Sequence, residues 1–158
     1  MVIHLMIHKE SSGIMAQASH SVQIPVTIDK VWSFVSKIEK WATLVPAYKT
    51  HKDLDDTTSI WTFEGSFKGM KKTVEMEIKI VEMQEPTNIK FEIKGLSDNF
   101  KGGGEFKAEE VDGKTTMTGT IEVNAGGLAG AVLTPVIKMV LPKVTTRLTE
   151  KMARKIGA

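Results

Sequence analysis

Between residues 47 and 125 the chain keeps to a period of two and never leaves it for a helix. The clearest run is 72–83, where Val74, Met76, Ile78 and Ile80 alternate with Glu75, Glu77 and Lys79. Successive side chains of a strand point to opposite faces, so such a run has one apolar and one charged side. Ile89, Phe91 and Ile93 alternate with Lys90, Glu92 and Lys94, and Phe106 and Ala108 with Glu105, Lys107 and Glu109. Met117, Gly119, Ile121 and Val123 alternate with Thr116, Thr118, Thr120 and Glu122. Trp61 and Phe63 share a face in an earlier run, and 48–54 reads as a strand of indistinct phase. Turn residues separate these runs: Asp55-Asp56-Thr57-Thr58, Gly65 and Gly69, Glu85-Pro86-Thr87-Asn88, and the hairpin signal Asp112-Gly113. Six strands joined by turns, without crossover helices, pair antiparallel. One face of that sheet is apolar and needs a cover.

Residues 126–158 supply it. Gly126 and Gly127 break the last strand, and from Leu128 every fourth residue is apolar: Val132, Val136, Val140, Val144, Leu148, Met152 and Ile156. This spacing predicts one long helix. Between 128 and 141 only Thr134 and Lys138 are polar, so the first half is buried on most sides or faces something apolar. It is too short for a membrane span, which takes about 20 apolar residues. From Pro142 onward Val144, Leu148, Met152 and Ile156 form one face and Lys143, Arg147, Lys151 and Lys155 another. Pro135 and Pro142 each remove a backbone donor, which predicts kinks there, with Thr134, Thr145 and Thr146 placed to take up the freed carbonyls. A sheet with one apolar face under a long helix is an α+β domain.

The front of the chain adds one more strand and two short helices. His20, Val22, Ile24 and Val26 alternate with Ser19, Ser21 and Gln23, with Pro25 at the strand's end. Thr27 is an N-cap for a helix carrying Ile28, Val31, Trp32 and Val35, and a second helix over 38–44 stops before Pro46. Residues 1–15 are expected as a poorly ordered arm, because His4 and His8 interrupt their apolar run; residues 16–158 form a single domain. His4 and His8 have the spacing of a metal pair on a helix, but the sequence offers no third ligand beside them. The sheet expected is therefore seven-stranded.

Composition narrows the function classes. The chain has no cysteine, which rules out disulfide and thiolate chemistry and fits a cytoplasmic location. Six Lys or Arg stand against Glu150 alone in residues 138–158, giving that segment +5 and the remainder −3 in a chain of net charge +2. Cations at a helix C-terminus are favoured by its dipole, by roughly 0.3–1 kcal/mol each, so the cluster does not call for nucleic acid. A membrane-surface contact or an acidic partner is the alternative use for it.

Catalysis needs titratable groups inside. If Val74, Met76 and Ile78 point inward, then Glu75, Glu77, Glu92, Glu105, Glu109 and Glu122 all point outward. His20 is in phase with the inward residues and is expected at a partly exposed strand start. His51 and Asp53 form a candidate acid–base pair on the strand of indistinct phase. The run Gly102-Gly103-Gly104 lacks the Lys-Ser/Thr of a phosphate loop and reads as a bulge or bend of the sheet. No catalytic residue, metal ligand or cofactor is assigned, which favours a binding module over an enzyme. The expected occupant is an apolar small molecule or lipid, lined from the sheet by Trp61, Phe63, Met76, Ile78, Phe91, Phe106, Met117, Gly119 and Ile121 and from the helix by Leu133, Val136 and Met139. Small residues on the same phase, Gly102, Gly104, Ala108 and Gly119, leave room for it. An accessory protein that binds a partner through its apolar helix half, or an enzyme, are the other readings.

The order of elements, with Ile24-Pro25-Val26-Thr27-Ile28-Asp29-Lys30-Val31-Trp32 leading from strand to helix and followed by Trp41 and Pro46, resembles the START/Bet v 1-like (SRPBCC) superfamily. Gly65, Phe67 and Gly69 before a long strand, the Glu85-Pro86 turn, and Gly126-Gly127-Leu128-Ala129-Gly130 at the last helix are similar to its CoxG-like subgroup, named in connection with carbon monoxide dehydrogenase. The resemblance implies a helix-grip fold, a curved antiparallel sheet wrapped round the C-terminal helix. It also implies lipid, hormone or polyketide binding, or a polyketide cyclase/dehydratase activity.

Overall fold

The alternating runs do become strands of one sheet. The computed structural model describes residues 3–10, 13–67, 69–97 and 100–157, with side chains over 16–66, 69, 71–97, 100–124 and 139–157. Among the described residues the strands are β1 (Ile3–Glu10), β2 (Gly13–Ile24), β3 (Tyr48–Asp53), β4 (Thr58–Phe67), β5 (Met70–Gln84), β6 (Asn88–Gly95), β7 (Phe100–Val111) and β8 (Lys114–Gly126). They pair antiparallel in the order β1-β2-β8-β7-β6-β5-β4-β3. Helices α1 (Ile28–Val35) and α2 (Ile38–Trp41), with a 3-10 turn at Ala42–Leu44, follow β2, and α3 (Gly127–Gly157) ends the described chain. This is the expected α+β helix-grip arrangement, with one strand more than the expected seven.

The extra strand lies in the stretch expected as an arm. Ile3–Glu10 pairs with β2 from Ile3↔His20 to Glu10↔Gly13, and β2 itself begins at Gly13; residues 1, 2, 11 and 12 of that stretch fall outside the described residues. Along the first half of β2 no large apolar face marks the strand, because a different packing rule applies there. Ala16 and Ala18 are buried against Leu141 of α3, with Ile121 and Val123 beside them. A helix can approach a strand this closely only where the strand's side chains are small, so the buried positions carry alanine instead of large apolar residues.

Local chemistry explains the joints. Asp112 and Gly113, with φ of 53° and 76°, make the two-residue loop between β7 and β8 that their sequence signals. Thr27 has the extended backbone of an N-cap, but its hydroxyl makes no capping bond. Instead the Ile28 N–H donates to Glu110 Oε1 at 2.6 Å, which ties the start of α1 to β7. In α3 the Thr145 hydroxyl donates to the Leu141 carbonyl and the Thr149 hydroxyl to the Thr145 carbonyl, each at 2.8 Å. The carbonyls released by Pro135 and Pro142 belong to residues 131 and 138, so Thr145 does not serve the prolines as expected. Thr146 Oγ1 is buried with no partner, and the Thr134 side chain lies outside those described.

The glycine run on β7 is not a bulge. Pairing passes through it without a shift, Gly102↔Ile93 and Gly104↔Phe91 on one side and Gly102↔Val123 and Gly104↔Ile121 on the other. Glycine is required by proximity: a Cβ at Gly102 would meet the Glu122 carbonyl, and one at Gly104 the Phe91 ring.

Candidate functional site

The register puts all nine expected sheet positions on one face. Trp61 pairs with Met76, Phe63 with Val74, Ile78 with Ile93, Phe91 and Ile121 both with Gly104, Phe106 with Gly119, and Met117 with Ala108. That face divides in two. At the end near α1 and α2 it is closed: Trp61, Ile78, Phe91, Phe106 and Met117 are buried together with Leu148, Met152 and Ile156 of α3. Trp41 plugs this end, its ring 5.7 Å from Trp61, 5.9 Å from Phe91 and 5.2 Å from Phe106. Its indole N–H donates to the Val35 carbonyl at 3.1 Å, which fixes the plug to the end of α1. Strands β4 and β7 are three steps apart in the sheet, about 14 Å if it were flat. One side chain touches both because the sheet is concave.

The other end, where β8 runs into α3, is different. Phe63, Val74, Met76, Ile93, Ile121 and Val123 lie on the same face but are only half-buried. An apolar concave surface left partly uncovered is the arrangement a lipid or aromatic ligand occupies. Of the helix residues expected to line it, Leu133 and Val136 lie outside the described side chains. Met139 does not line it: its side chain is 46% exposed, because it falls on the side of α3 opposite Leu141 and Thr145.

The small residues do not open the space their sequence positions suggest. The Phe91 ring occupies the volume a side chain at Gly104 would take. At Gly119 an added Cβ would stand 2.5 Å from Thr149 Oγ1 and 3.1 Å from the Phe106 ring. Both glycines therefore allow close packing, and the uncovered apolar residues lie beyond them.

Polar groups are distributed largely as the phase predicts. Glu75, Glu92 and Glu109 are exposed and Glu77, Glu105 and Glu122 half-buried on the outer face, where Glu105 accepts from Asn88 Nδ2 at 2.8 Å. His20 is the exception. Far from being partly exposed, it is fully buried between β2 and α3, with Nε2 3.0 Å from Glu150 Oε1 and Nδ1 without a partner. The strand pattern does not reveal Glu150 as its partner; the one available signal is that Glu150 is the lone acid among the cations of its segment.

His51 and Asp53 do come together, with Tyr48 and Ser59. A register shift at Lys49 brings Tyr48 onto the same face as His51, and the Tyr48 hydroxyl hydrogen-bonds His51 Nδ1. His51 Nε2 is 3.7 Å from Asp53 Oδ1, beyond a hydrogen bond, and that carboxylate oxygen accepts from the Ser59 hydroxyl at 2.9 Å. His51, Asp53 and Ser59 front a cleft of about 410 Å³ with Ser36, Ile38, Glu39, Leu54 and Ile80. The Asp55 carboxyl on its rim is held below the usual carboxylate range chiefly by the Thr57 N–H it accepts. With Nδ1 engaged by tyrosine, His51 has Nε2 left to accept or deliver a proton. Among the described residues no three His, Asp or Glu side chains gather as metal ligands would. Among them, too, no helix is long and apolar enough to cross a membrane.

The family model described as polyketide cyclase/dehydrase and lipid transport matches residues 15–157. The curated proteins contain no match to this sequence. Among solved structures the chain is similar to a conserved protein from Geobacillus kaustophilus, with a TM-score of 0.74 and 15% identity over 89% of this chain and 94% of that one. A START superfamily protein from Mycobacterium smegmatis follows at 0.63 and 16%, over 87% and 97%. The Zhui aromatase/cyclase from Streptomyces sp. R1128 gives 0.58 and 13%, over 90% and 96%. At these identities the likeness is one of fold.

Proposed function

We propose that this chain, which belongs to the polyketide cyclase/dehydrase and lipid transport family, carries an apolar small molecule or lipid on the concave face of its sheet. The observation that carries the reading is the half-buried surface of Phe63, Val74, Met76, Ile93, Ile121 and Val123, none of which has a hydrogen-bonding side chain. The apolar first half of α3, with Leu133 and Val136, closes the site in this reading. The same proposal sets the protein in the cytoplasm, and nearest the CoxG-like subgroup on its Gly65, Phe67 and Gly69 pattern.

The test is uptake of an apolar fluorescent probe or fatty acid, expected to saturate at about one site per chain. Ile121→Trp fills the half-buried surface and is expected to abolish uptake while circular dichroism stays unchanged. A wild-type protein that takes up no probe would defeat the carrier reading. A cyclase-like reading is favoured by one observation, the Tyr48–His51–Asp53 cluster beside an open cleft. His51→Phe separates the two: under the carrier reading, mass spectrometry finds the same ligand on variant and wild type. A ligand recovered in a different chemical form from the variant would shift the reading to an enzyme.

A further inference from the structure

The solvent side of α3 carries a feature that ligand binding does not use. Met139, Val140, Lys143, Arg147, Lys151, Arg154 and Lys155 are all exposed, whereas Leu141, Thr145, Leu148, Met152 and Ile156 are buried. At about 100° per residue the exposed set falls on one side of the helix and the buried set on the other. The exposed side is thus a cationic strip with two apolar residues at its upstream end. Among the described residues no carboxylate pairs with any of these five cations; Glu150, the acid nearest in sequence, is bound to His20.

Two ordinary explanations fall short. The helix dipole favours cations within the last turn, which covers Arg154 and Lys155 but not Lys143, Arg147 or Lys151. A solvated helix face gains from alternating signs at i,i+4, yet Lys143, Arg147, Lys151 and Lys155 repeat one sign at every step of four. Like charges at that spacing repel and destabilise the helix. An anionic surface relieves the repulsion of the whole strip at once.

We infer that this face of α3 docks on an anionic lipid bilayer. Charge complementarity alone would also admit nucleic acid or an acidic protein, and Met139 and Val140 favour the bilayer. Against a phosphate backbone they gain nothing, whereas at a bilayer surface they sink into the boundary between headgroups and acyl chains while the cations meet lipid phosphates. The strip from Met139 to Lys155 runs about 24 Å along a straight axis, and a flat partner can engage all of it. This inference does not depend on the carrier reading, because it concerns the outer side of α3 and an empty protein should dock equally well.

Vesicle co-sedimentation tests it. The protein is expected to sediment with vesicles of phosphatidylcholine containing about 30% phosphatidylglycerol and not with phosphatidylcholine alone, and to be released by high salt only in part, Met139 and Val140 holding the remainder. Replacing three cations in K143Q/R147Q/K151Q is expected to weaken binding on the order of a hundredfold. This variant relieves repulsion and so should fold at least as well, which circular dichroism checks. M139S/V140S is expected to leave a weaker, wholly salt-sensitive association. Failure of the wild type to bind anionic vesicles, undiminished binding by the triple glutamine variant, or displacement from vesicles by an equal charge of duplex DNA would each overturn the proposal. Probe uptake, measured without vesicles, reports separately on the carrier reading.

Discussion

Residue 119 shows how the interior is built from complementary volumes on distant elements. Its missing side chain is the space taken by Thr149 Oγ1 and the Phe106 ring, so the glycine and the helix residue constrain each other. Gly119→Ala is expected to cost about 1–3 kcal/mol in chemical denaturation, and clearly less in a Thr149→Ala background. Additive costs would mean that the two sites do not compete for the same space. The inward phase of Ile78, Phe91, Phe106 and Met117 was legible because alternation is a local property of a strand. What fills the volume beside a glycine was not, since Thr149 lies far downstream and nothing in the local pattern points to it. The same limit hid the burial of His20, which depends on Glu150 arriving from α3.

At the scale of elements, legibility followed the size of the side chains that do the packing. Strands with large inward residues announced themselves, while the first half of β2 did not, because it faces α3 through Ala16 and Ala18; in β1 the alternation of Ile3, Leu5 and Ile7 is blurred by the apolar Met6 between them. The candidate site shows the same division. Its sheet residues were readable from phase, but the Trp41 plug that closes half of it could be seen only once α2 was placed. Strand β1 stands at the sheet's edge, bonded among the described strands to β2 alone, and the family match begins after it at residue 15. Deleting residues 1–12 is therefore expected to leave a cooperatively folding domain, with a melting temperature within about 2 °C of the full chain's. Loss of cooperative unfolding would show that β1 is integral. A folded but self-associating product would show instead that β1 shields the edge of β2.

For the whole molecule, one concave sheet does two jobs at its two ends. Around Trp41 it is a closed core, and where β8 meets α3 it leaves apolar side chains half-covered. The strand order that makes this possible has a consequence in time. His20 on β2 pairs with Gly119 on β8, although β3, the strand that follows β2 in sequence, lies at the far edge of the sheet. A chain leaving the ribosome presents β2 long before β8 exists, and α3 emerges last of all. Until then the edge of β2 that β8 will bond, and the part of the apolar face that Trp41 does not cover, have nothing native to meet. Pairings so distant along the chain form slowly and leave sticky surface exposed while they wait. The alanines of β2 and the charged outer faces of β5–β7 are thus expected to matter before there is a fold to stabilise, since they offer other chains little apolar surface to hold.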